Sequence, residues 1–367
     1  MQQIDREEQA KKLIEPLLQY YDANKRILPW REEPTAYYVW LSEIMLQQTR
    51  VEAVKPYFAR FIEALPDIEC LANASEEQLL KLWEGLGYYS RVRNLGKAAK
   101  VVMENYGGKL PSDKAELLKL PGIGSYTAGA ISSIAYSEAN PAVDGNVLRV
   151  FARVFADDRD ILNPQVKKDW EALIEKTMPK DRPGDYNQAL MEIGACVCVP
   201  NGVPKCDACP FHQMCQAHLA NEETKYPYKA PKKARAIEEK TVLILRSEDK
   251  VVLVKRPAKG LLASMYEFPI IEGKASQDEV LKALNGQGIK ALWISPLEEA
   301  KHIFTHKEWH MQAYMIRVDE LQEGNAPENW LFVDKKEVEE QYPIPSAYAK
   351  YMKYLSITVG YEVFSEN

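Results

Sequence analysis

Residues 118–150 constrain the fold of this 367-residue chain more than any other stretch. They read LKLPGIGSYTAGAISSIAYSEANPAVDGNVLRV, in which the turn PGIGS separates two helical patterns. Gly122 and Gly124 allow a tight turn with positive φ because they have no Cβ atom. Backbone N–H groups at this turn, and those that open the helix at Tyr126, can face an anion such as a phosphate. Asp144 begins the next helical pattern, where its carboxylate can act on the molecule that carries the phosphate.

By spacing alone, an ordinary helical hairpin followed by a capped helix fits these residues equally well. The string itself is more specific: LPGIGSYTAGA followed by AVDGNVLRV resembles the helix–hairpin–helix and Gly-Pro-Asp signature of the endonuclease III superfamily of base-excision DNA glycosylases. The hairpin is predicted over about residues 113–136, with Asp113 as the cap of its first helix and Glu116 three residues later. The resemblance implies that Gly122 and Gly124 contact DNA.

The composition is that of a globular protein, with 46% hydrophobic and 27% charged residues, and the length allows two domains. No apolar run reaches the roughly 20 residues of a membrane span, and the N-terminus lacks the apolar region of a signal peptide. We therefore expect a cytoplasmic protein, at the nucleoid in a bacterium, without membrane contact. The net charge of −6 argues against a nucleic-acid partner, but only the contact face needs a positive potential.

The segment YYVWLSEIMLQQTRVEAV is predicted to form one apolar helix that carries a single conspicuous acid, Glu43. Val39, Trp40 and Leu46 lie three or four positions away and make its face of the helix apolar. Desolvation disfavours the charged form of a carboxyl, so the pKa of Glu43 is expected to be raised, as suits a general acid. Taken alone, a partly exposed glutamate at the rim of a helix is the simpler interpretation.

LSEIMLQQT closely resembles the catalytic-glutamate segment of the MutY-type adenine DNA glycosylases, a family within that superfamily. The resemblance implies that Glu43 protonates adenine and then activates water, while ionised Asp144 stabilises the cationic sugar or bonds to it transiently. A helix start favours the ionised form of Asp144. Tyr126 and Asn146 are predicted to support these two carboxyls. The adenine pocket is assigned by the same resemblance to Arg26, Trp30, Arg31, Leu46 and Gln188.

The loop GLGYYSR lies between two helical segments predicted within residues 76–104. Its glycines flank an apolar residue, and tyrosines and an arginine follow, which suits a wedge that enters a base stack and holds the flanking phosphates. The target base must be flipped out of double-stranded DNA to be reached. The resemblance assigns contacts with DNA and the opposing lesion to Gln48, Thr49, Leu86 and Tyr88.

Five of the six cysteines fall within residues 196–215, which in a cytoplasmic chain favours a metal over disulfides. Spacing alone does not choose between zinc and a 4Fe–4S cluster. The family resemblance implies a 4Fe–4S cluster in the loop 198–215, although the first gap is one residue longer here. Cys196 is a rival ligand. The predicted ligands follow the pattern C-x7-C-x2-C-x5-C: Cys198, Cys206, Cys209 and Cys215.

The predicted fold class is an all-α helix–hairpin–helix region over residues 1–220, followed by a mixed α/β domain over residues 238–367. Residues 221–237 are polar and rich in lysine and contain two prolines, which predicts a linker. After the linker, VLIL and VVLVK predict a β-hairpin. Further strands are predicted near 291–295 and 311–318, and helices at about 276–285 and 345–355.

GLLASMYEFP and FTHKEWHM resemble the Nudix-like C-terminal domain of the same family. A hydrolysing Nudix domain needs the glutamate-rich helix REUxEExGU, and the corresponding stretch, SQDEVLKALNGQG, lacks that acidic constellation. The domain is therefore predicted to read DNA and not to hydrolyse a diphosphate. The resemblance assigns 8-oxoguanine contacts to Phe304, Thr305 and His306, with threonine where the family commonly has serine.

Two other functions fit part of the sequence. An endonuclease III-like bifunctional glycosylase/lyase uses a lysine in the second hairpin helix as its nucleophile, but the matching residue here is Tyr126. A non-catalytic iron–sulfur DNA-binding protein would not need both Glu43 and Asp144. The predicted function is thus removal, by a monomer, of adenine paired with 8-oxoguanine or guanine in double-stranded DNA, which leaves an abasic site.

Overall fold

The computed structural model describes residues 6–231, 234–318, 327 and 329–355. The chain forms two compact units, each built from two segments. The helical unit comprises Met1–Asn73 and Asn94–Lys232, and the sheet unit comprises Ala74–Arg93 and Lys233–Asn367. The division between residues 232 and 233 lies inside the segment predicted as a linker.

Helices account for the regular structure described up to residue 231. In chain order they are α1 (Arg6–Lys12), α2 (Ile14–Asn24), α3 (Pro29–Glu32), α4 (Ala36–Leu46), α5 (Val51–Ala64), α6 (Ile68–Asn73), α7 (Glu76–Leu82), α8 (Ser90–Tyr106), α9 (Lys114–Leu117), α10 (Ser125–Tyr136), α11 (Gly145–Val154), α12 (Pro164–Thr177), α13 (Pro183–Cys196) and α14 (Gln216–Leu219). A 3₁₀ turn spans Cys206–Ala208. By contacts, α7 and the start of α8 belong to the sheet unit.

Polar side chains fix the start of several of these helices. The side chain of the residue before the helix accepts a hydrogen bond from a backbone N–H in the first turn, which satisfies one of the free donors there. Asp113 caps α9 in this way, as the sequence predicts. The same arrangement begins α4, α7 and α12 at Thr35, Ser75 and Asn163.

The prediction of one continuous helix from Tyr37 onward is wrong. α4 ends at Leu46, and Gln48 has φ +61°. A residue in the left-handed region cannot continue a right-handed helix, so the chain turns before α5 begins at Val51. Gln48 and Thr49 therefore lie in a turn, with Gln48 exposed and Thr49 half-buried.

The core of the helical unit gathers apolar side chains from α1, α2 and α11–α13. Its centre is aromatic: Phe151 and Phe155 stack on each other, and both rings contact Trp170 at 5.3 and 5.1 Å between centroids. Burial of such large rings contributes most to a core of this size. The core fixes α11 against α13, and the site described below lies on these two helices together with α4 and α10.

The sheet unit contains seven strands in one sheet within its described residues. They are β1 (Ala236–Ser247), β2 (Lys250–Lys255), β3 (Tyr266–Glu267), β4 (Ile270–Glu272), β5 (Ala291–Ile303), β6 (Lys307–Val318) and β7 (Trp330–Val333). The helices after the first strand are α15 (Gln277–Gly286), α16 (Lys335–Glu340) and α17 (Ala349–Met352), with 3₁₀ turns at Ser346–Tyr348 and Lys353–Leu355.

The strand order is β3-β2-β1-β6-β5, with β4 paired to β1 and β7 paired to β2. β1 runs parallel to β6, from Ala236 opposite Lys307 to Arg246 opposite Arg317. Separate apolar clusters cover the sheet: one includes Trp309, and another includes Val280 of α15. The predicted fold class, a helical region followed by a mixed α/β domain, is confirmed. None of the described helices combines the length and apolar character needed to cross a bilayer.

Candidate active site

Glu43 lies on α4 with 7% of its surface exposed. Burial raises the pKa of this carboxyl to about 7, and the nearby charge of Asp144 raises it further, while the hydrogen bond from Tyr126 holds it down. The Tyr126 hydroxyl donates to Glu43 Oε2 at 2.5 Å. Burial also raises the pKa of Tyr126 well above its ordinary value, so the phenol stays a donor. The raised pKa predicted for Glu43 is therefore confirmed.

The turn before α10 brings Tyr126 to this carboxyl. Gly122 has φ +79°, and a Cβ atom there would lie 2.6 Å from the Cβ of Asn94, so the turn needs glycine. Gly124 differs from the prediction. It is the N-cap of α10 with φ −97°, an extended conformation that other residues also adopt. Only the first of the two glycines supplies positive φ.

Asp144 is the N-cap of α11. Its Oδ1 accepts from the backbone N–H groups of Asn146 and Val147 at 2.9 and 2.8 Å, and its Oδ2 accepts from Asn146 Nδ2 at 2.6 Å. These bonds favour the carboxylate, as the sequence predicts, but burial outweighs them and raises the pKa of Asp144. The donors at the helix start therefore favour ionisation of Asp144, as predicted, while desolvation opposes it.

Arg149, which the sequence reasoning missed, connects this cap to the cysteine loop. Its Nη2 donates to Asn146 Oδ1 at 2.9 Å and to the carbonyl of Gly194 at 2.7 Å. Its Nε donates to the carbonyl of Cys198 at 2.7 Å. A signal was present in VLRVFARV, because arginines at positions 149 and 153 interrupt an otherwise apolar helix.

The four predicted cysteine ligands line one cavity. A tetrahedral zinc ion would hold its sulfurs about 3.8 Å apart, given Zn–S bonds of about 2.3 Å. Among the described residues no three of these thiols lie within 4.8 Å of one another, whereas Cys206, His218 and Glu223 do. Cys196 does not line the cavity and has its sulfur 3.9 Å from Glu192 Oε1.

The environment of the cysteine loop combines burial with a nearby positive charge. Burial raises the pKa of Cys209 to about 12 and that of Cys206 to about 11. Arg153 Nη1 donates to Cys198 Sγ at 3.2 Å, which places a guanidinium against the loop.

Three of the predicted adenine-pocket residues line one cavity of about 460 Å³: Arg26, Arg31 and Gln188. Glu192, which the sequence reasoning missed, orients both arginines: Arg26 Nε donates to its Oε1 at 2.5 Å and Arg31 Nη2 to its Oε2 at 2.9 Å. Two other predicted residues do not line the cavity. Trp30 is buried with its ring edge on Phe58, and Leu46 is half-buried at the end of α4.

In the sheet unit, the predicted lesion contacts form the tip of the β5–β6 hairpin. Phe304 N–H donates to the carbonyl of Lys307 at 2.9 Å, which leaves Thr305 and His306 exposed at the tip. The ring of Phe304 packs on Trp309 with centroids 4.9 Å apart. The Tyr88 hydroxyl lies 3.2 Å from Thr305 Oγ1.

The wedge loop does not expose its apolar residue. Leu86 has 7% of its surface exposed, whereas Tyr88 has 47% and a positive φ of 49°. In this conformation the loop therefore presents a tyrosine ring and hydroxyl, and Leu86 packs inside the unit.

The raised pKa of Glu43 makes stability depend on pH. The folded state retains this proton up to about pH 7, whereas the unfolded chain releases it near 4.5, so stability falls as pH rises between these values. Glu43→Gln has no such proton to release. The free energy of unfolding of this variant, relative to that of wild type, should therefore be higher at pH 8 than at pH 4, by about 3 kcal/mol at most. Urea unfolding at both pH values measures the gain. Glu8→Gln, at an exposed position, is the control, and an equal effect of Glu43→Gln at both pH values would contradict the assignment.

Gly194 lets α13 approach α11 at Asn146. A Cβ atom on Gly194 would lie 2.5 Å from the Cβ of Asn146. Gly194→Ala is therefore expected to lower the free energy of unfolding by about 1–3 kcal/mol, because Asn146 must move. Gly286→Ala is the matched control, since open space surrounds that helical position. Urea unfolding tests both, and equal stability of the two variants would show that the approach is not tight.

Comparisons with known proteins agree with this geometry. The family model described as HhH-GPD superfamily base excision DNA repair protein matches residues 41–176, and a NUDIX domain model matches residues 241–354. The adenine DNA glycosylase of Mus musculus is 35% identical and covers 85% of this chain, which spans 72% of that protein. The adenine DNA glycosylase of Buchnera aphidicola subsp. Baizongia pistaciae is 34% identical, with coverages of 82% and 85%.

Solved structures support the fold of the helical region. A thermostable thymine-DNA glycosylase matches 58% of this chain and 98% of its own length, with a TM-score of 0.53 and 27% identity. An endonuclease III–DNA complex matches 60% and 97%, with a TM-score of 0.50 and 23% identity. Together with the relatives in sequence, these matches show that the chain belongs to the adenine DNA glycosylase family of base-excision DNA repair enzymes, which hydrolyse N-glycosidic bonds.

Proposed function

We propose that this chain removes adenine paired with 8-oxoguanine, and also with guanine, from double-stranded DNA and leaves an abasic site. The observation that carries the proposal is the pairing of two differently held carboxyls. Glu43 is buried, bonded to Tyr126 and has a pKa of about 7. Asp144 caps a helix and accepts three hydrogen bonds. One group is suited to deliver a proton and the other to carry negative charge.

Glu43 supplies the proton in the first step. Near pH 7 a large fraction of this carboxyl is protonated, and it can pass its proton to a ring nitrogen of a flipped-out adenine. The bond between the sugar C1′ and the base nitrogen then breaks, and its electron pair leaves with the neutral base. Glu43, now a carboxylate, accepts a proton from the water that attacks C1′.

Asp144 acts on the sugar. Its carboxylate stabilises the oxocarbenium-like cation by charge, or bonds to C1′ transiently until water displaces it. Burial opposes ionisation of Asp144, and the donors from Asn146 and Val147 offset that cost. Arg149 holds the side-chain oxygen of Asn146, so the amide nitrogen of Asn146 points at the carboxylate. The positively charged sugar itself favours the ionised acid during the reaction.

The reaction should end at the abasic site. A glycosylase that also cuts the strand forms an imine with a lysine of the second hairpin helix. α10 reads SYTAGAISSIAY and contains no lysine, and Tyr126 instead bonds to Glu43. This difference supports base removal without lyase chemistry.

The sheet unit is proposed to read the lesion strand. Tyr88 and Thr305 offer adjacent hydroxyls that can bond to the edge of 8-oxoguanine. A diphosphate-hydrolysing role is not supported. In α15, Glu279 accepts from the N–H and hydroxyl of Ser276, so this acid is occupied in a capping box and does not stand free for a metal.

The test is adenine release from 8-oxoguanine:adenine duplexes under single-turnover conditions. Wild type should release adenine and leave the strand intact. Absence of free adenine would contradict the proposal. Glu43→Gln should slow release on the order of 10²–10⁴-fold while duplex binding persists. The rate should fall above about pH 7, and Tyr126→Phe should shift that fall to higher pH, because Tyr126 holds the pKa of Glu43 down.

We further propose that Cys198, Cys206, Cys209 and Cys215 hold a 4Fe–4S cluster. The shared cavity lined by the four cysteines and the arginine beside Cys198 support a multi-metal group that carries net negative charge with its thiolates. When bound, the cluster fixes the 198–215 loop. Arg149 bonds to the carbonyl of Cys198, which relates the loop to the Asp144 cap.

Metal analysis separates this cluster from a zinc site on Cys206, His218 and Glu223. Purified protein should absorb at about 400 nm and contain about four iron and four sulfide per chain. Cys198→Ser should lose this absorbance, whereas His218→Ala should keep it. Cys70→Ser removes a cysteine outside the loop and is the control. A colourless protein that contains zinc and loses it on His218→Ala would overturn the assignment.

A further inference from the structure

Four polar side chains of the 74–93 segment contact the rest of the sheet unit. They are Glu77 and Lys81 of α7, Glu84 in the turn after it, and Tyr88 in the loop that follows. Glu77 accepts from Lys255 at 2.7 Å at the start of this row, and Tyr88 meets Thr305 at its end. The two contacts between them are the most buried.

Glu84 and Lys81 form the centre of this row. Glu84 Oε1 accepts from the backbone N–H of Ile344 at 2.7 Å, and its Oε2 accepts from Lys81 Nζ at 2.9 Å. Lys81 Nζ also donates to the carbonyls of Val338 and Tyr342 at 3.1 and 3.4 Å. The side chain of Glu84 is 6% exposed and that of Lys81 is 20% exposed. If one partner of this buried pair moved away, the other charge would stay buried without an opposite charge, so the pair resists separation.

The loop that follows is braced internally. Trp83 Nε1 donates to the carbonyl of Gly87 at 3.1 Å, and Arg91 Nη2 donates to the carbonyls of Leu86 and Gly87 at 3.1 and 3.0 Å. The loop over residues 85–89 can therefore move as one piece. The position of this loop relative to Thr305 depends on the contacts at its ends. Glu84 immediately precedes the loop, so its contacts fix one of these ends.

We propose that Glu84 and Lys81 are positioning residues that anchor the 85–89 loop to residues 338–344 of the sheet unit, hold Tyr88 beside Thr305 of the β5–β6 hairpin, and thereby set the preference for 8-oxoguanine over guanine. This inference rests on the proposed function. The contacts of Glu84 and Lys81 keep the hydroxyls of Tyr88 and Thr305 adjacent, so that both can bond to the same base. Guanine lacks the extra oxygen and N–H of the lesion and gains less from that paired site.

The experiment compares single-turnover adenine release from 8-oxoguanine:adenine and guanine:adenine duplexes, with rates normalised to the active fraction. Glu84→Ala should lower the ratio of the two rates by about tenfold or more, because a buried charged hydrogen bond is lost. Glu84→Gln should keep the ratio within about threefold of wild type, since its amide oxygen still accepts from Ile344 N–H. Glu8→Ala, which removes an exposed partner of Lys12, is the control for loss of an ion pair.

A second variant tests the same inference in case the Glu84→Ala protein does not fold. Lys81→Met keeps the apolar stem and removes the donors to Glu84, Val338 and Tyr342, so it should lower the ratio in the same direction. Thermal unfolding and absorbance at about 400 nm confirm that each variant is folded and loaded.

Two results with the variants would overturn the inference while the proposed function stands. In the first, folded Glu84→Ala and Lys81→Met keep the wild-type ratio. In the second, both rates fall by the same factor, which a purely structural role would cause. If wild type itself releases no adenine, the proposed function fails and this inference fails with it. If wild type releases adenine from both duplexes at equal rates, the proposed function stands and only this inference fails.

Discussion

The buried guanidinium of Arg149 joins three parts of the helical unit that are separate in sequence. It donates to Asn146 on its own helix, to the carbonyl of Gly194 on α13 and to the carbonyl of Cys198 in the cysteine loop. A planar group with five donors in fixed directions can serve several acceptors at once and hold each of them in a set direction. The orientation of Asn146, and through it the carboxylate of Asp144, depends on this one side chain.

The two site carboxyls show how environment separates groups of similar chemistry. Glu43 is buried and Asp144 is half-buried, and desolvation raises the pKa of each. Asp144 accepts from two backbone N–H groups and an amide, whereas Glu43 accepts from the hydroxyl of Tyr126 on its Oε2. Backbone donors at a helix start cannot turn away, so they favour charge more firmly than a phenol does. The two carboxyls therefore differ because one lies at a position within α4 and the other at the start of α11.

Local motifs were predictable from the sequence, and partners distant in sequence were not. The helical periods, the Asp113 cap, the β1–β2 hairpin and the burial of Glu43 follow from neighbouring residues. Glu192 and Glu84 were missed because a glutamate in a helix reads as solvated until its partner is known, and those partners lie 166 and 260 residues away. The break at Gln48 was not predicted, and neither was the desolvation that opposes ionisation of Asp144, because both depend on packing around the residue.

The discontinuous sheet unit has a consequence for the order of events during synthesis. A ribosome releases residues 74–93 long before the strands of the same unit exist, because Ile344 follows Glu84 by 260 residues. The helical unit can complete its own core from residues up to 232. Helix α7 cannot yet bury Leu79 and Leu80 in a finished unit, because the rest of the sheet unit has not been synthesised. The helical unit can thus fold first, whereas the sheet unit can be completed only after Ile344 has been synthesised.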